Sequence, residues 1–305
     1  MTELPAPPTI SAAAALRWQR RPVPPASPWL HEEVARRMEE RLEWIRVAPA
    51  HWVHWQPLAG GIEAHALLRR RYPEARCTVV EEAAPWQGAA RARWAPSPRW
   101  WQPSRWRVGP AAPAVQIAAP AAAEAQMLWA NMALHASAEP QALIARWHAA
   151  LAVDGFLMFS AFGPDTLREL RAAYAQAGWG PPGCEFTDMH DWGDMLVQAG
   201  FAEPVMDMER IVLTWGDAEA LLAELRSLGI NLHPARFAGL RTPRWRERLL
   251  EHLTRTLADS RHGGRLALTF EIVYGHAFKP APRAAVAAES AVSLEQMRGM
   301  LRRGR

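Results

Sequence analysis

Gly155-Phe156-Leu157-Met158-Phe159-Ser160-Ala161-Phe162-Gly163-Pro164-Asp165-Thr166-Leu167-Arg168-Glu169-Leu170-Arg171 holds both kinds of element from which the rest of the chain is built. Phe156–Phe162 is apolar almost throughout and too short for a helix, which predicts a strand buried on both faces. Gly163 and Pro164 stop it, and from Asp165 to Gln176 the spacing becomes helical. Outward from this unit the alternation repeats. On the N-terminal side, Trp29–Arg46 reads as a helix, residues 51–56 as a strand, Pro57–Gly61 as a turn and Ile62–Arg71 as a helix. Cys77–Val80 reads as a second strand, Gln126–Asn131 as a further strand and Pro140–Leu151 as a helix. On the C-terminal side come a helix around Asp191–Gln198, a strand at Glu203–Trp215, helices at Asp217–Leu228 and Thr242–Leu257, and a closing strand at Arg265–Phe278. Strands alternating with helices of this length predict a parallel sheet covered on both faces. In such sheets ligands sit beyond the carboxyl ends of the strands.

Composition sets the bounds. The chain has 305 residues, half of them hydrophobic and 22% charged, enough to bury a core. Its two cysteines, Cys77 and Cys184, exclude a disulfide scaffold and a four-cysteine zinc site. No apolar run reaches the roughly 18 residues of a membrane-spanning helix, and the N-terminus lacks the pattern of a secretory signal. The expectation is a soluble, cytoplasmic protein. Residues 1–28 are proline-rich and predict an extended or poorly ordered arm. Residues 29–279 predict the folded domain, and 280–305 an Ala/Arg-rich tail. Lys279 is the only lysine among the 35 basic residues, and tryptophan outnumbers tyrosine 16 to 3. The net charge of +4 permits an acidic partner without requiring one.

Four segments together resemble the malonyl-acyl-carrier-protein O-methyltransferases of biotin synthesis. They are Ser160–Arg171, Met127–His135, Ala223–Asn231 and Leu266–Gly275, in the same order and at suitable spacing over roughly 29–278. The resemblance implies an α/β, Rossmann-like, seven-stranded class I methyltransferase sheet with helices on both faces and extra helices near the C-terminal end. It also implies S-adenosylmethionine as cofactor and a malonyl carboxylate on acyl carrier protein as methyl acceptor.

The first loop departs from that family. Its first strand normally runs into Asp-x-Gly-x-Gly-x-Gly, but Trp55 stands at the acidic position, Pro57 and Ala59 at the first two glycines, and Gly61 at the third. Glycines let the backbone approach a ligand, and Pro57 has no N–H to offer. Gln126 replaces a second aspartate, and the arm before the first helix has no tyrosine where the family has one. What remains as a candidate cofactor site is Gly60 and Gly61, Glu81 at the second strand end for a ribose diol, and Asn131, which could line the pocket or cap the next turn. Methyl transfer to an ionised carboxylate needs no general base, so positioning and desolvation carry it. Arg226 is the candidate clamp for the acceptor carboxylate, because a guanidinium fork matches two oxygens. Tyr274 is a candidate for an added hydrogen bond. The altered loop favours the alternative of a non-catalytic relative acting as a binding or assembly module.

Other patterns are weaker. His31-Glu32-Glu33 lacks the second histidine of a zinc-protease helix, since position 35 is Ala35, and reads as a charged helix face. His51 and His54 have ligand-like spacing with nothing to complete a metal site. The stretch 83–123 has no acidic residue and is expected to be irregular, with one or two short strands at most. Within it, the Trp- and Arg-rich residues 86–107 could stack on single-stranded nucleic acid, dock an acidic carrier protein, or cap the sheet with arginines lying over tryptophans. The packing reading ranks first and nucleic acid last.

Overall fold

The computed structural model describes residues 10–95, 115–237 and 239–282. Its sheet runs β3-β2-β1-β4-β5-β8-β6, with a short β7 beside β8. The strands are β1 (His51–Trp55), β2 (Arg76–Val80), β3 (Val115–Ile117), β4 (Ala125–Ala130), β5 (Leu151–Phe162), β6 (Ala202–Trp215), β7 (Ala258–Asp259) and β8 (Arg265–Phe278). β1 to β5 pair in parallel, whereas β8 enters antiparallel between β5 and β6. The expected parallel sheet is thus corrected to a mixed one. Its cause is local: β6 and β8 each span 14 residues and pair with each other from Trp215↔Leu266 back to Ala202↔Phe278, forming a long antiparallel ribbon.

Alternation along the strands divides the core in two. Trp52, Val79, Met127, Trp129, Phe156 and Met158 face one layer, with α2 (Trp29–Glu40), α4 (Ile62–Arg71) and α10 (Pro243–Thr256). Val53, Trp55, Leu128, Leu157 and Phe159 face the other, against α6 (Pro140–Ala150) and α8 (Met189–Gln198). Where the sequence carries good boundary residues, helices start on them. Asp217 accepts from Ala220 N at 2.7 Å ahead of α9 (Ala218–Leu228), and Thr242 accepts from Trp245 N ahead of α10. The Phe-Gly-Pro-Asp-Thr-Leu segment is a fastening between β5 and β8. Gly163 N donates to Glu271 O, Leu167 N to Thr269 O, and Thr166 Oγ1 to Glu271 O at 3.0 Å, which brings α7 (Arg168–Gln176) onto the sheet.

Three expectations change here. The arm is not extended throughout: Ser11 caps α1 (Ala12–Gln19), an alanine-rich helix whose Ala14 and Ala15 pack with Ile10 on Cys184 and Leu232. Alanine loses no side-chain entropy in a helix, and that outweighs the surrounding prolines. Residues 84–94 form a helix, α5 (Ala84–Trp94), begun by Pro85 in its first turn, where a missing N–H costs nothing. Pro57–Gly60 closes into a one-turn helix, α3, rather than an open turn. Among the described residues no helix is long and apolar enough to cross a membrane.

Candidate functional site

A cleft of about 980 Å³ lies beyond the carboxyl ends of β1, β2 and β4. Gln56 and Ala59 form its floor after β1; Glu81, Glu82 and Trp86 line it after β2; Met132, Ala133 and His135 line it after β4. The arm covers it through Leu16, Trp18, Arg21 and Pro24, and Arg226 to Leu228 approach from the end of α9. The volume is at the upper end of the range that drug-sized ligands occupy.

The floor uses its own hydrogen bonds. Gln56 adopts a left-handed backbone (φ 49°) and donates its N–H to Val80 O. Leu58 N donates to Glu81 Oε1 at 3.0 Å, Ala59 and Gly60 donate to Gln56 O, and Gly61 to Pro57 O. With Pro57 lacking a donor, no backbone N–H of this loop is left for a ligand. Gly60 and Gly61 are required for internal reasons. A Cβ on Gly60 would lie 2.4 Å from the Asn131 carbonyl oxygen, and Gly61 sits at φ 151°, which side chains avoid. Neither lines the cleft.

Asn131 does not line it either. Fully buried, it donates from Nδ2 to His31 O at 2.8 Å and to Gly60 O, and its Oδ1 accepts from Ser160 Oγ at 2.6 Å. The amide therefore ties α2, the floor and β5 together, which is the turn-holding alternative rather than the pocket-lining one. Gly61 supplies no side-chain cap to α4. Instead Ser27 Oγ accepts from Ile62 N at 3.0 Å, and Glu32 of α2 accepts from Glu63 N and Ala64 N at 3.0 and 3.1 Å. A carboxylate there also complements the helix dipole.

Trp55 is wholly buried in the α6 layer, edge-on to Trp147 with ring centroids 6.0 Å apart. Arg146 lies over it at 4.9 Å and pairs with Glu82 at 2.7 Å. Glu81 is 6% exposed, and its Oε2 has no partner among the described residues. Burial pushes its carboxyl up to about 8 against the opposing Leu58 N–H, with Glu82 adding repulsion. A ligand hydroxyl donating to the carboxyl would favour its ionised form and bring that value back down. Arg226 is exposed at the rim, with no hydrogen-bond or ion-pair partner among the described residues.

Tyr274 is elsewhere, and that expectation is corrected. On β8 its side chain points into the α2 layer, where its hydroxyl donates to Glu209 Oε1 at 2.6 Å and Arg41 stacks on its ring at 3.8 Å. Of the Trp/Arg-rich stretch, Trp86 is buried at the cleft and Trp94 packs on His65 with centroids 4.7 Å apart. The rest of the stretch, residues 96–107, lies outside the described residues. His51 bonds Thr78, His54 stacks on His65, and no group of three metal-ligating side chains occurs among the described residues.

Sequence reasoning put His31 on a charged helix face, which its burial corrects, and took Trp86 and His135 only as members of longer segments. His31 precedes Ala35 and Met38 on the buried stripe of α2, a placement that separates it from the charged face.

Together, the reversed β8 strand, the sheet order and the cleft at the parallel strand ends define a class I methyltransferase fold. Among solved structures, the YcgJ protein of Bacillus subtilis is similar in fold, with a TM-score of 0.51 and 10% identity over 82% of this chain and 99% of that one. The malonyl-[acyl-carrier protein] O-methyltransferase of Laribacter hongkongensis is 40% identical over 260 residues, 83% of this chain and 84% of the relative. That of Gallionella capsiferriformans is 39% identical over 261 residues, 85% and 87% of the two chains. No protein-family model matches the sequence. The chain belongs to the malonyl-[acyl-carrier protein] O-methyltransferase family.

Proposed function

We propose that this chain methylates the malonyl carboxylate carried on acyl carrier protein, at an early step of biotin synthesis in the cytoplasm, with residues 29–279 as the catalytic domain. The observation that carries the reading is the cleft itself. It opens at the ends of β1, β2 and β4 and presents Glu81 Oε2 unpartnered, in a chain 40% identical to a relative of that name. S-adenosylmethionine fits these residues. Glu81 would accept from the ribose hydroxyls, and the buried indole N–H of Trp86, which has no protein partner, would donate to a ring nitrogen of the base. When bound, the cofactor supplies an electrophilic methyl group on a sulfonium.

The chain's own work is to hold the acceptor and keep water away. A malonyl carboxylate is ionised at neutral pH, so no residue has to remove a proton. Arg226 would grip its two oxygens with a guanidinium fork, leaving it oriented for in-line attack. The arm over the cleft would limit hydration of that carboxylate, whose nucleophilicity rises as water leaves.

A second reading, a non-catalytic binding module, is favoured by the floor, where Trp55 replaces the acidic residue and every loop N–H is used internally. Calorimetric titration with S-adenosylhomocysteine, followed by a methyl-transfer assay on malonyl-acyl carrier protein, separates the two. Binding and turnover, with turnover depressed tenfold or more in Arg226→Ala, support the enzyme. Carrier-protein binding without cofactor binding supports the module.

A further inference from the structure

Most buried polar side-chain atoms left without a partner among the described residues belong to rings packed in the core. Two belong to residues lining the cleft: Trp86 Nε1, a donor, and His31 Nε2. His31 sits in the first turn of α2 and is 4% exposed. Its Nδ1 lies 2.8 Å from the carbonyl oxygen of Ala59, which can only accept, so Nδ1 carries the proton. In the neutral ring, Nε2 is then a bare acceptor. Burial holds the ring neutral, with its pKa down at about 4.

The ring is oriented by Ala59 O, and the main chain beneath it is held to the floor by Asn131, whose Nδ2 donates to the His31 and Gly60 carbonyls. The floor lacks the carboxylate that would receive an ammonium group, since Trp55 is turned into the opposite layer. Of the acidic residues lining the cleft, Glu82 is held by Arg146 and Gln56, Glu81 receives Leu58 N and faces the proposed ribose, and Glu139 stands exposed just ahead of α6.

We infer that His31 Nε2 receives the α-ammonium group at the amino-acid end of S-adenosylmethionine, in place of the carboxylate missing at position 55. The inference rests on the cofactor reading above and names a binding residue for it. One charge-assisted hydrogen bond in a site closed to water replaces an ion pair. The ligand's two ends would then meet the two orphaned atoms, acceptor at His31 and donor at Trp86, with Glu81 lining the same cleft.

Two ligands test it. S-adenosylhomocysteine carries the amino-acid end, whereas 5′-methylthioadenosine has the same nucleoside and ends in a methyl thioether. Both are titrated calorimetrically into the wild type, His31→Leu and His31→Gln. The expected result is a loss of about 10–100-fold in S-adenosylhomocysteine affinity for His31→Leu, with 5′-methylthioadenosine affinity within about twofold of wild type. His31→Gln, whose amide can still offer an acceptor, should recover part of the loss. Binding of the short ligand is itself the check that a variant is folded, and His31→Gln carries the comparison if His31→Leu does not fold. Equal weakening of both ligands, or no weakening of either, would overturn the role of His31 and leave the cofactor reading standing. A wild type that binds neither ligand would overturn both.

Discussion

Replacing Asn131 by alanine removes three hydrogen bonds from a site with no solvent to replace them. The amide donates to His31 O and Gly60 O and accepts from Ser160 Oγ, and the residue is fully buried. Each bond contributes about 1 kcal/mol, and each partner left unpaired in the interior costs about 1–3 kcal/mol. Ser160 Oγ keeps its second bond, accepting from Met132 N at 3.0 Å, so its penalty lies at the low end. The sum is about 3–5 kcal/mol, a large part of the ~5–15 kcal/mol that holds a typical domain together. Urea denaturation followed by tryptophan fluorescence would read it as a lower midpoint with an unchanged slope. Melting should fall by roughly 6–20 °C. Ser160→Ala, which loses one of the three bonds, should cost about 1–2 kcal/mol and be less than additive with Asn131→Ala. A loss below about 1 kcal/mol, accompanied by a tenfold drop in S-adenosylhomocysteine affinity, would refute the strut and return Asn131 to the ligand.

Tyr274→Phe should lower stability by about 1–2 kcal/mol through the lost bond to Glu209. It should leave cofactor affinity and methyl transfer unchanged, and a tenfold loss of activity would put Tyr274 back in the site. Stability should also peak near pH 6.5. His31 and His65 are held neutral down to about 4, so the unfolded chain binds more protons below 6.5 and stability falls with acid. Glu81 is held protonated up to about 8, so on its account the folded chain loses stability as pH rises from 4.5 to 8. Glu81→Gln should therefore flatten the slope between pH 6.5 and 8, worth roughly 2 kcal/mol, and a slope unchanged in that variant would remove Glu81 as its source. The same variant should weaken S-adenosylhomocysteine by about 10–100-fold at pH 8, where the wild-type carboxylate is half ionised.

The central sheet was legible because parallel strands covered on both faces read as short apolar runs, as at Val53 and Phe156–Phe162. The expected bounds of α9 and α10 fall within a residue of the observed ends, where Asp217 and Thr242 cap the two helices. The antiparallel entry of β8 was not legible from its own residues, since a buried strand has the same pattern in either direction, and a parallel sheet was expected instead. The helix of α5 was hidden by glycine, proline and tryptophan in a stretch without acidic residues, where tertiary burial of Trp86 and Ala90 outweighs local preference. At the site, Glu81 and Arg226 were visible as chemistry at element ends. Gly60, Gly61 and Asn131 were visible as unusual residues, but whether such groups face a ligand or one another depends on contacts between α2, β4 and β5 that lie a hundred residues apart in sequence. His31 was read as part of a charged helix face for the same reason: its burial and its bond to Ala59 O come from the tertiary fold.

The segment between Ser11 and Ser27 is attached at both ends, and the two attachments are unequal. At Ser11 there is one main-chain bond, to Leu232 O at 2.7 Å, beside a small cluster of Ile10, Ala14, Ala15 and Cys184. At Ser27 the hydroxyl is part of the cap of α4 and is shared with Glu32. Freeing the first end gives up about 1 kcal/mol of hydrogen bonding and modest apolar contact; freeing the second also uncovers a helix terminus. Of the two attachments the one at Ser11 is the weaker, so uncovering the cleft from that end would break fewer contacts than uncovering it from Ser27, where α4 would lose part of its cap.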